Sequence, residues 1–223
     1  MFAAPPAVDP SGHWEGTIQA PDVQVAVAID LAKDRNGQFV GTFTEPERGL
    51  KGLPLATVTI EERSIKLVLR ANQGGGTFNA TVSADNRSMT GEFVMNEGGY
   101  VLPFTFTRTG DANIVPAPRS PAIAKELAAT WQGTLDVGGK PLRIIVTMTN
   151  HPDGTATGAL MSPEAGGIDI PIAIAQRSDT ITLEVPAVGA SFAAVINADK
   201  TELTGTWSQG PAALPLVLKR QDN

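Results

Sequence analysis

The sequence predicts an all-β protein of two tandem eight-stranded antiparallel up-and-down β-barrels, joined by a short linker helix. Three observations support this. The segment Trp14-Glu15-Gly16-Thr17 returns 117 residues later as Trp131-Gln132-Gly133-Thr134. Short segments alternate apolar and polar residues with a period of two, which is typical of half-buried strands. Gly, Asn and Asp turns separate those segments, and no long helical pattern interrupts them.

The repeat continues along both copies, and its offset changes only in turns. The hairpin signals Asn36-Gly37 and Asp153-Gly154 correspond at an offset of 117, and Thr90-Gly91 corresponds to Thr204-Gly205 at 114. Such a pattern indicates duplication of one structural unit. It predicts a first barrel over residues 12–109, a linker over 110–129 and a second barrel over 130–221.

Eight strands are predicted in each copy. Pairing of the first strand with the last removes the exposed edges that an open sheet would leave. Two stacked sheets of four strands are the main alternative. In the first copy the strands are placed at Trp14 and near 23–31, 38–44, 55–61, 64–70, 77–83, 88–94 and 100–107. In the second they are placed near 131–137, 142–150, 155–161, 170–176, 180–185, 191–197, 202–207 and 213–219.

Comparison of the two copies indicates which side chains point inward. Along each strand, every second residue is apolar in both copies, whereas the residues between them differ from one copy to the other. The residues that we expect to line the interiors, and any ligand site there, are Val27, Ile29, Leu67, Phe78, Phe93 and Phe104 in the first barrel, and Ile144, Val146, Leu183, Phe192, Trp207 and Leu216 in the second.

Residues 110–129 differ in character from both copies. Val115-Pro116-Ala117-Pro118 predicts an extended, stiff spacer. Ser120-Pro121 supplies an N-cap followed by a proline at the first helical position, which predicts a short helix. Ile123 and Leu127 would lie on one face of it. We expect this helix to plug the open end of the second barrel, and a movable lid over a pocket is the alternative.

Composition excludes several classes of function. The net charge is −6 and no Lys/Arg cluster is present, which argues against nucleic acid or an anionic membrane as partner. No run approaches the ~20 consecutive apolar residues that cross a bilayer. The absence of Cys removes disulfides, thiolate nucleophiles and most structural zinc sites. Residues 1–7 are too short, and lack the basic start, for a signal peptide.

Residues that carry chemistry are few. His13 and His151 do not correspond between copies, and we interpret both as solvated loop residues. Glu45, Glu47 and Glu164 lie beside prolines in corresponding loops, and solvation is again the preferred interpretation over acid–base chemistry or Ca²⁺ binding. No nucleophile elbow and no metal-ligand spacing occur. The sequence therefore predicts no catalytic residue, no metal and no cofactor.

A Trp and an Arg are predicted to close one end of each barrel. Trp14 and Trp131 lie on the first strands, and Arg108 and Arg220 lie on the last. Since first and last strands are neighbours in a closed barrel, we expect each guanidinium to cover the indole face. Such a cation–π contact contributes roughly 0.5–2 kcal/mol.

Two resemblances follow from these residues. Gly12-x-Trp14 together with Arg108 resembles the lipocalin and wider calycin pattern, although Ala129 replaces the glycine in the second copy. Residues 131–220, with Leu-Thr-Gly-Thr-Trp-Ser-Gln-Gly and Leu-Pro-Leu-x-Leu-Lys-Arg, resemble a small β-domain that precedes serine hydrolase domains in exported bacterial proteins. The second resemblance implies an accessory or binding role and a periplasmic or extracellular location.

The sequence-based hypothesis is a non-enzymatic binding protein whose barrels each hold a small apolar ligand or present a surface to a protein partner. The alternative is a structural or accessory interaction module with solid cores, because an eight-stranded barrel is just wide enough for side chains to fill. A third hypothesis, a barrel enzyme acting on an apolar substrate, requires a polar group such as Glu92 or Arg70 inside. The oligomeric state stays open.

We predict that Arg220→Ala lowers the melting temperature more than Lys219→Ala, because only Arg220 would cover an indole ring. Thermal unfolding of the two variants measures the difference, and equal effects would remove the cation–π contact from consideration.

Overall fold

The computed structural model describes residues 8–69, 75–96 and 98–221. These residues form two compact units, the first reaching Pro116 and the second beginning at Ala117. Within the described part of the chain, no helix is long and apolar enough to cross a membrane.

The first unit is a closed eight-stranded antiparallel barrel. Each strand pairs with the next along the chain, and the last pairs with the first. Its strands are β1 Gly12–Gln19, β2 Gln24–Lys33, β3 Phe39–Glu45, β4 Leu50–Glu61, β5 Ser64–Leu69, β6 Gly76–Val82, β7 Ser88–Met95 and β8 Val101–Gly110.

The second unit is also a closed eight-stranded barrel, with one short strand added outside the cycle. β10 pairs with β17 to close it, and β9 pairs with β12. Its strands are β9 Ser120–Pro121, β10 Thr130–Val137, β11 Lys140–Asn150, β12 Thr155–Met161, β13 Ile170–Arg177, β14 Thr180–Val185, β15 Ala190–Ile196, β16 Glu202–Gln209 and β17 Ala212–Arg220.

The predicted fold class is therefore confirmed, and the alternative of two stacked sheets is wrong, because strand pairing runs around each unit without a break.

The predicted strands agree closely with the structure, with one clear exception. β4 begins at Leu50 rather than at Leu55. Leu50 and Leu53 pair with β3 across a register shift, and this irregular pairing lengthens the strand beyond the alternating segment.

The predicted linker helix is wrong. Ser120-Pro121 forms β9, and the chain then makes tight turns up to β10. The backbone N–H groups of the three following residues donate to acceptors on neighbouring strands and loops. A helix beginning at Ser120 would bond only the last of them, the Ala124 N–H, to a carbonyl four residues back, because the first N–H groups of a helix have no intrahelical partner. The Gln176 side chain accepts that N–H instead. The donor–acceptor pairs are Ala122 N–H to Gly154 O at 2.9 Å, Ile123 N–H to Asn150 Oδ1 at 3.0 Å and Ala124 N–H to Gln176 Oε1 at 2.8 Å.

The apolar side chains of the linker nevertheless reach the core. Ile123 and Leu127 are buried and belong to the apolar cluster of the second barrel. A turn, rather than a helix, therefore brings both side chains into that core.

The interiors hold the side chains that the comparison of copies selected. All twelve residues expected to point inward are buried. In the first barrel they are Val27, Ile29, Leu67, Phe78, Phe93 and Phe104, and in the second they are Ile144, Val146, Leu183, Phe192, Trp207 and Leu216.

The first and last strands of each barrel pair along a line that we call the closing seam. A glycine of the first strand lies there because the backbone of the last strand comes very close to it. A Cβ at Gly16 would collide with the carbonyl oxygen of Thr105, and a Cβ at Gly133 would collide with that of Val217. These glycines are the third residues of the repeated segments that begin at Trp14 and Trp131. The repeated Trp-x-Gly-Thr pattern is thus explained by barrel closure.

We predict that Gly16→Ala lowers the free energy of unfolding of the first barrel by about 1–3 kcal/mol, the usual cost of overpacking. Denaturant unfolding measures it. Gly110→Ala is the matched control, because a Cβ there meets nothing within 4 Å. It should change stability by less than about 0.5 kcal/mol. Equal values for the two variants would contradict the close approach at the seam.

Candidate functional site

The interior of the first barrel is occupied by phenylalanine rings. Phe78 is fully buried at their centre, and its ring centroid lies 4.4 Å from that of Phe93, 5.2 Å from that of Phe104 and 6.0 Å from those of Phe43 and Phe106. Phe104 also stacks on Phe106 at 4.6 Å. These are the separations of aromatic rings in direct contact. Rings of the protein itself therefore lie in the region where a ligand would be expected.

The interior of the second barrel is likewise one contiguous cluster of buried apolar side chains. Trp131 is fully buried in it, and Phe192 pairs across strands with Trp207. The six residues expected to line a ligand site in the second barrel all belong to this cluster, and in the first barrel Phe93 and Phe104 both contact Phe78. Their role as ligand contacts stays a prediction. Of the grooves on the described part of the chain, one of about 320 Å³ is lined by residues of β4–β6, and another of about 610 Å³ lies beside Lys125 and Arg220.

The tryptophan on the first strand of each barrel is anchored by a hydrogen bond that sequence reasoning missed. The indole N–H of Trp14 donates to the carbonyl oxygen of Pro10 at 2.9 Å, and that of Trp131 donates to the carbonyl oxygen of Leu127 at 3.0 Å. Both acceptors stand four residues before the Trp, so Pro10 and Leu127 correspond at the offset of 117. The repeat therefore relates the two acceptors by position. Their side chains are dissimilar because the acceptor is in both cases the backbone carbonyl oxygen.

Strand register brings each predicted closure pair together. Trp14 stands opposite Arg108, and Trp131 stands opposite Arg220. Arg108 lies so close to Gly12 that a Cβ on Gly12 would collide with the guanidinium. The cation–π contact seen among the described residues is a different one, between Lys33 Nζ and the Phe39 ring at 5.0 Å. Stacking of the arginines on the indoles stays a prediction.

The interpretation of His13 as a solvated loop residue is wrong. His13 lies on β1 and is half-buried, with Nδ1 2.8 Å from Asp30 Oδ1 and Nε2 3.4 Å from Glu15 Oε1. Asp30 is only 6% exposed, and the same Oδ1 accepts the backbone N–H of Asn113 at 2.9 Å. One buried carboxylate thus joins β1 to the segment that follows β8. His151 lies in a turn, as expected, with Nε2 2.7 Å from Thr157 Oγ1.

The surroundings of His13 favour its charged form. Burial alone would lower the pKa of His13, but the hydrogen bond to Asp30 and its charge outweigh burial, and Glu15 adds a smaller effect. The net result raises the pKa of His13 above its ordinary value.

The loop carboxylates of the two barrels have different surroundings. Burial raises the pKa of Glu45, and Arg48 partly offsets the effect. Glu164 accepts the Arg143 backbone N–H at 3.0 Å, and backbone hydrogen bonds lower the pKa of its carboxyl. In the ranges that the structure describes, no group of three or more His, Cys, Asp or Glu side chains has an arrangement that holds a metal.

Neither polar residue named for a barrel enzyme is seen inside a barrel in the described part of the chain. Glu92 is exposed on β7, and Arg70 lies outside the described residues. Buried polar side chains of the described chain lie elsewhere. Asp30 and Thr42 pair on the outward parity of β2 and β3, Ser120 lies on β9, and Ser162 and Asp169 lie in the β12–β13 connection.

No protein-family model matches the sequence, and no curated protein gives a significant match. Solved structures with some likeness include a candidate outer membrane protein from Bacteroides fragilis, at 10% identity with a TM-score of 0.30, covering 95% of this chain and 97% of that one. A DUF3598-family protein of unknown function from Nostoc punctiforme has 15% identity and a TM-score of 0.27, covering 95% and 96%. MucB in complex with periplasmic MucA has 11% identity and a TM-score of 0.22, covering 93% and 86%. These scores are too low to support an argument about function.

We predict that the first barrel loses stability as the pH rises from below 6.5 through the raised pKa of His13. The folded-state pKa of His13 lies above the unfolded value of 6.5, so its contribution is complete below that pH and is lost as the pH rises through the folded pKa. Denaturant unfolding across this range measures the slope. His13→Gln should remove this part of the slope, whereas the control His151→Gln should keep it. The same slope in wild type and His13→Gln would contradict the role of the pair.

Proposed function

We propose that the protein is a non-enzymatic accessory binding module whose barrels are solid supports and whose outer surface contacts a partner. The observation that carries this proposal is the filling of the interiors by their own side chains. Five phenylalanine rings contact one another in the first barrel, and one contiguous cluster occupies the second.

Geometry supports filled cores over ligand cavities. Eight strands enclose a space that side chains can fill by themselves. Protein interiors pack at crystal-like density, so an apolar ligand would have to displace buried rings. Displacement of Phe78, for example, would break its contacts with four other rings. Binding at the outer surface requires no such rearrangement.

An accessory role also agrees with the resemblance of residues 131–220 to the small β-domain of exported serine hydrolases. Such a domain serves a partner or a neighbouring domain rather than a reaction of its own. The outward placement of Glu92 favours the same conclusion, because it leaves the inner face of β7 apolar. The proposal also includes export of the protein from the cell and the lipocalin-like character of its barrels.

The proposal predicts that wild-type protein binds no apolar ligand. Native mass spectrometry should give the same mass before and after organic extraction, and a fatty-acid panel should leave the melting temperature unchanged. A bound ligand at 100 times its Kd would instead add about 2.7 kcal/mol to the stability. An extractable mass or such a shift would overturn the filled-core proposal.

Cavity-forming variants provide the positive control. Phe78→Ala and Phe192→Ala should each lower stability by about 3–5 kcal/mol and create an apolar space that binds a small aromatic probe. Thermal shift with benzene in these variants, but not in wild type, shows that the assay detects a cavity of that size.

A further inference from the structure

The turn between β2 and β3 exposes the dipeptide Asn36-Gly37 to solvent. Among the asparagines of the sequence, only Asn36 is followed by glycine. The Asn36 backbone N–H is hydrogen-bonded, whereas no hydrogen bond holds its side-chain amide within the described ranges. The side chain is therefore open to water and able to rotate toward the backbone that follows it.

An asparagine before a glycine is chemically labile, because the next backbone nitrogen can attack the side-chain carbonyl carbon. Glycine permits a close approach since it has no Cβ. Attack joins the Gly37 nitrogen to Asn36 Cγ and closes a cyclic imide. The Cγ–Nδ2 bond breaks, and the amide group leaves as ammonia with the proton that the Gly37 nitrogen gives up.

Water then opens the imide at one of its two carbonyl carbons. Cleavage of the new Cγ–N bond gives aspartate on an unchanged backbone. Cleavage of the original peptide bond gives isoaspartate, in which the main chain runs through Cγ. Either product carries a carboxylate in place of the amide, so the reaction adds one negative charge to a chain whose net charge is −6.

The closed turn opposes this attack. The Gly37 N–H donates to the carbonyl oxygen of Asp34 at 3.0 Å, so the attacking nitrogen is held by the turn itself. Oδ1 of Asp34 also accepts the backbone N–H of Asn36 at 2.8 Å and that of Gln38 at 2.9 Å. Hydrogen bonds to a carboxylate are stronger than those between neutral groups. Asp34 thus fixes the residues on both sides of the attacking nitrogen.

The second barrel shows that an aspartate fits this turn. Asp153 corresponds to Asn36. The bond that closes the turn is kept there, with the Gly154 nitrogen 3.2 Å from the carbonyl oxygen of His151. Aspartate formed at Asn36 therefore gives the first turn a residue that the second turn accommodates.

We propose that Asn36 is a site of spontaneous deamidation and that Asp34 sets its rate by holding the turn closed. The attack proceeds when the turn opens locally, which costs less free energy in an exposed turn than in a core strand. The modification changes the charge of the first barrel at an exposed tip and leaves the buried side chains in place. It does not depend on the proposed accessory function.

Peptide mapping by mass spectrometry tests the site, after incubation of the folded full chain at mildly alkaline pH. The peptide that contains Asn36 should gain about one dalton, whereas peptides that contain Asn79, Asn150 or Asn197 should keep their mass. Asn36→Asp should show no further gain, which assigns the change to this residue. An unchanged mass in the wild-type peptide, or a gain that persists in Asn36→Asp, would overturn the site.

Variants of Asp34 test the control of the rate. Asp34→Ala removes the acceptor of two backbone N–H groups, and we expect the rate to rise at least about fivefold because the turn opens more often. Asp34→Asn is the matched control and should stay close to the wild-type rate, since its side-chain oxygen can still accept both N–H groups. Circular dichroism shows whether each variant is folded.

Equal rates in wild type and Asp34→Ala would overturn the role of Asp34, as would equal acceleration by Asp34→Ala and Asp34→Asn. The urea-unfolded wild-type chain gives the rate without the turn and needs no substitution. It should exceed the rate of the folded chain, and equality of the two would refute protection by the closed turn.

Discussion

Closure of each barrel is the constraint on which the rest of the structure depends. β1 pairs with β8, and β10 pairs with β17. This pairing fixes the enclosed space at a width that side chains can fill, so every inward position has to be apolar and of suitable size. It also brings two backbones together at the seam, where Gly16 and Gly133 are required. The fully buried Trp14 and Trp131 then contribute to the cores near the same seams.

The same constraint separates two kinds of position along each strand. Inward positions keep apolar residues in both copies, whereas outward positions change freely as long as they suit a strand. His13 and Asp30 show this freedom, since the corresponding residues of the second barrel are Thr130 and Thr147. Their hydroxyl oxygens lie 3.5 Å apart, so a hydroxyl pair replaces the imidazole–carboxylate pair at the same register.

This separation is why the proposed binding role is placed on the outer surface. An eight-stranded barrel with filled cores leaves only outward residues available to a partner. The two barrels differ most clearly there, with Lys66 and Glu92 on one outer face and Thr182 and Thr206 on the other. A difference of this kind alters solubility and contact preference without affecting the fold.

The sequence by itself determined the eight strands of each barrel, which of their residues point inward, the pairing of first and last strands and the tandem arrangement. These follow from alternation and turn residues, which are local, and from the repeat, which needs only comparison of the chain with itself. Only the tertiary structure decided the environment of His13 and the conformation after Ser120. Asp30 reaches His13 through strand register, and Asn113 donates its N–H to the same carboxylate from a returning segment. The distant Gln176 accepts the Ala124 N–H that a helix beginning at Ser120 would bond internally. Such contacts join residues far apart in sequence, and no local sequence pattern predicts which of these residues come close together in space.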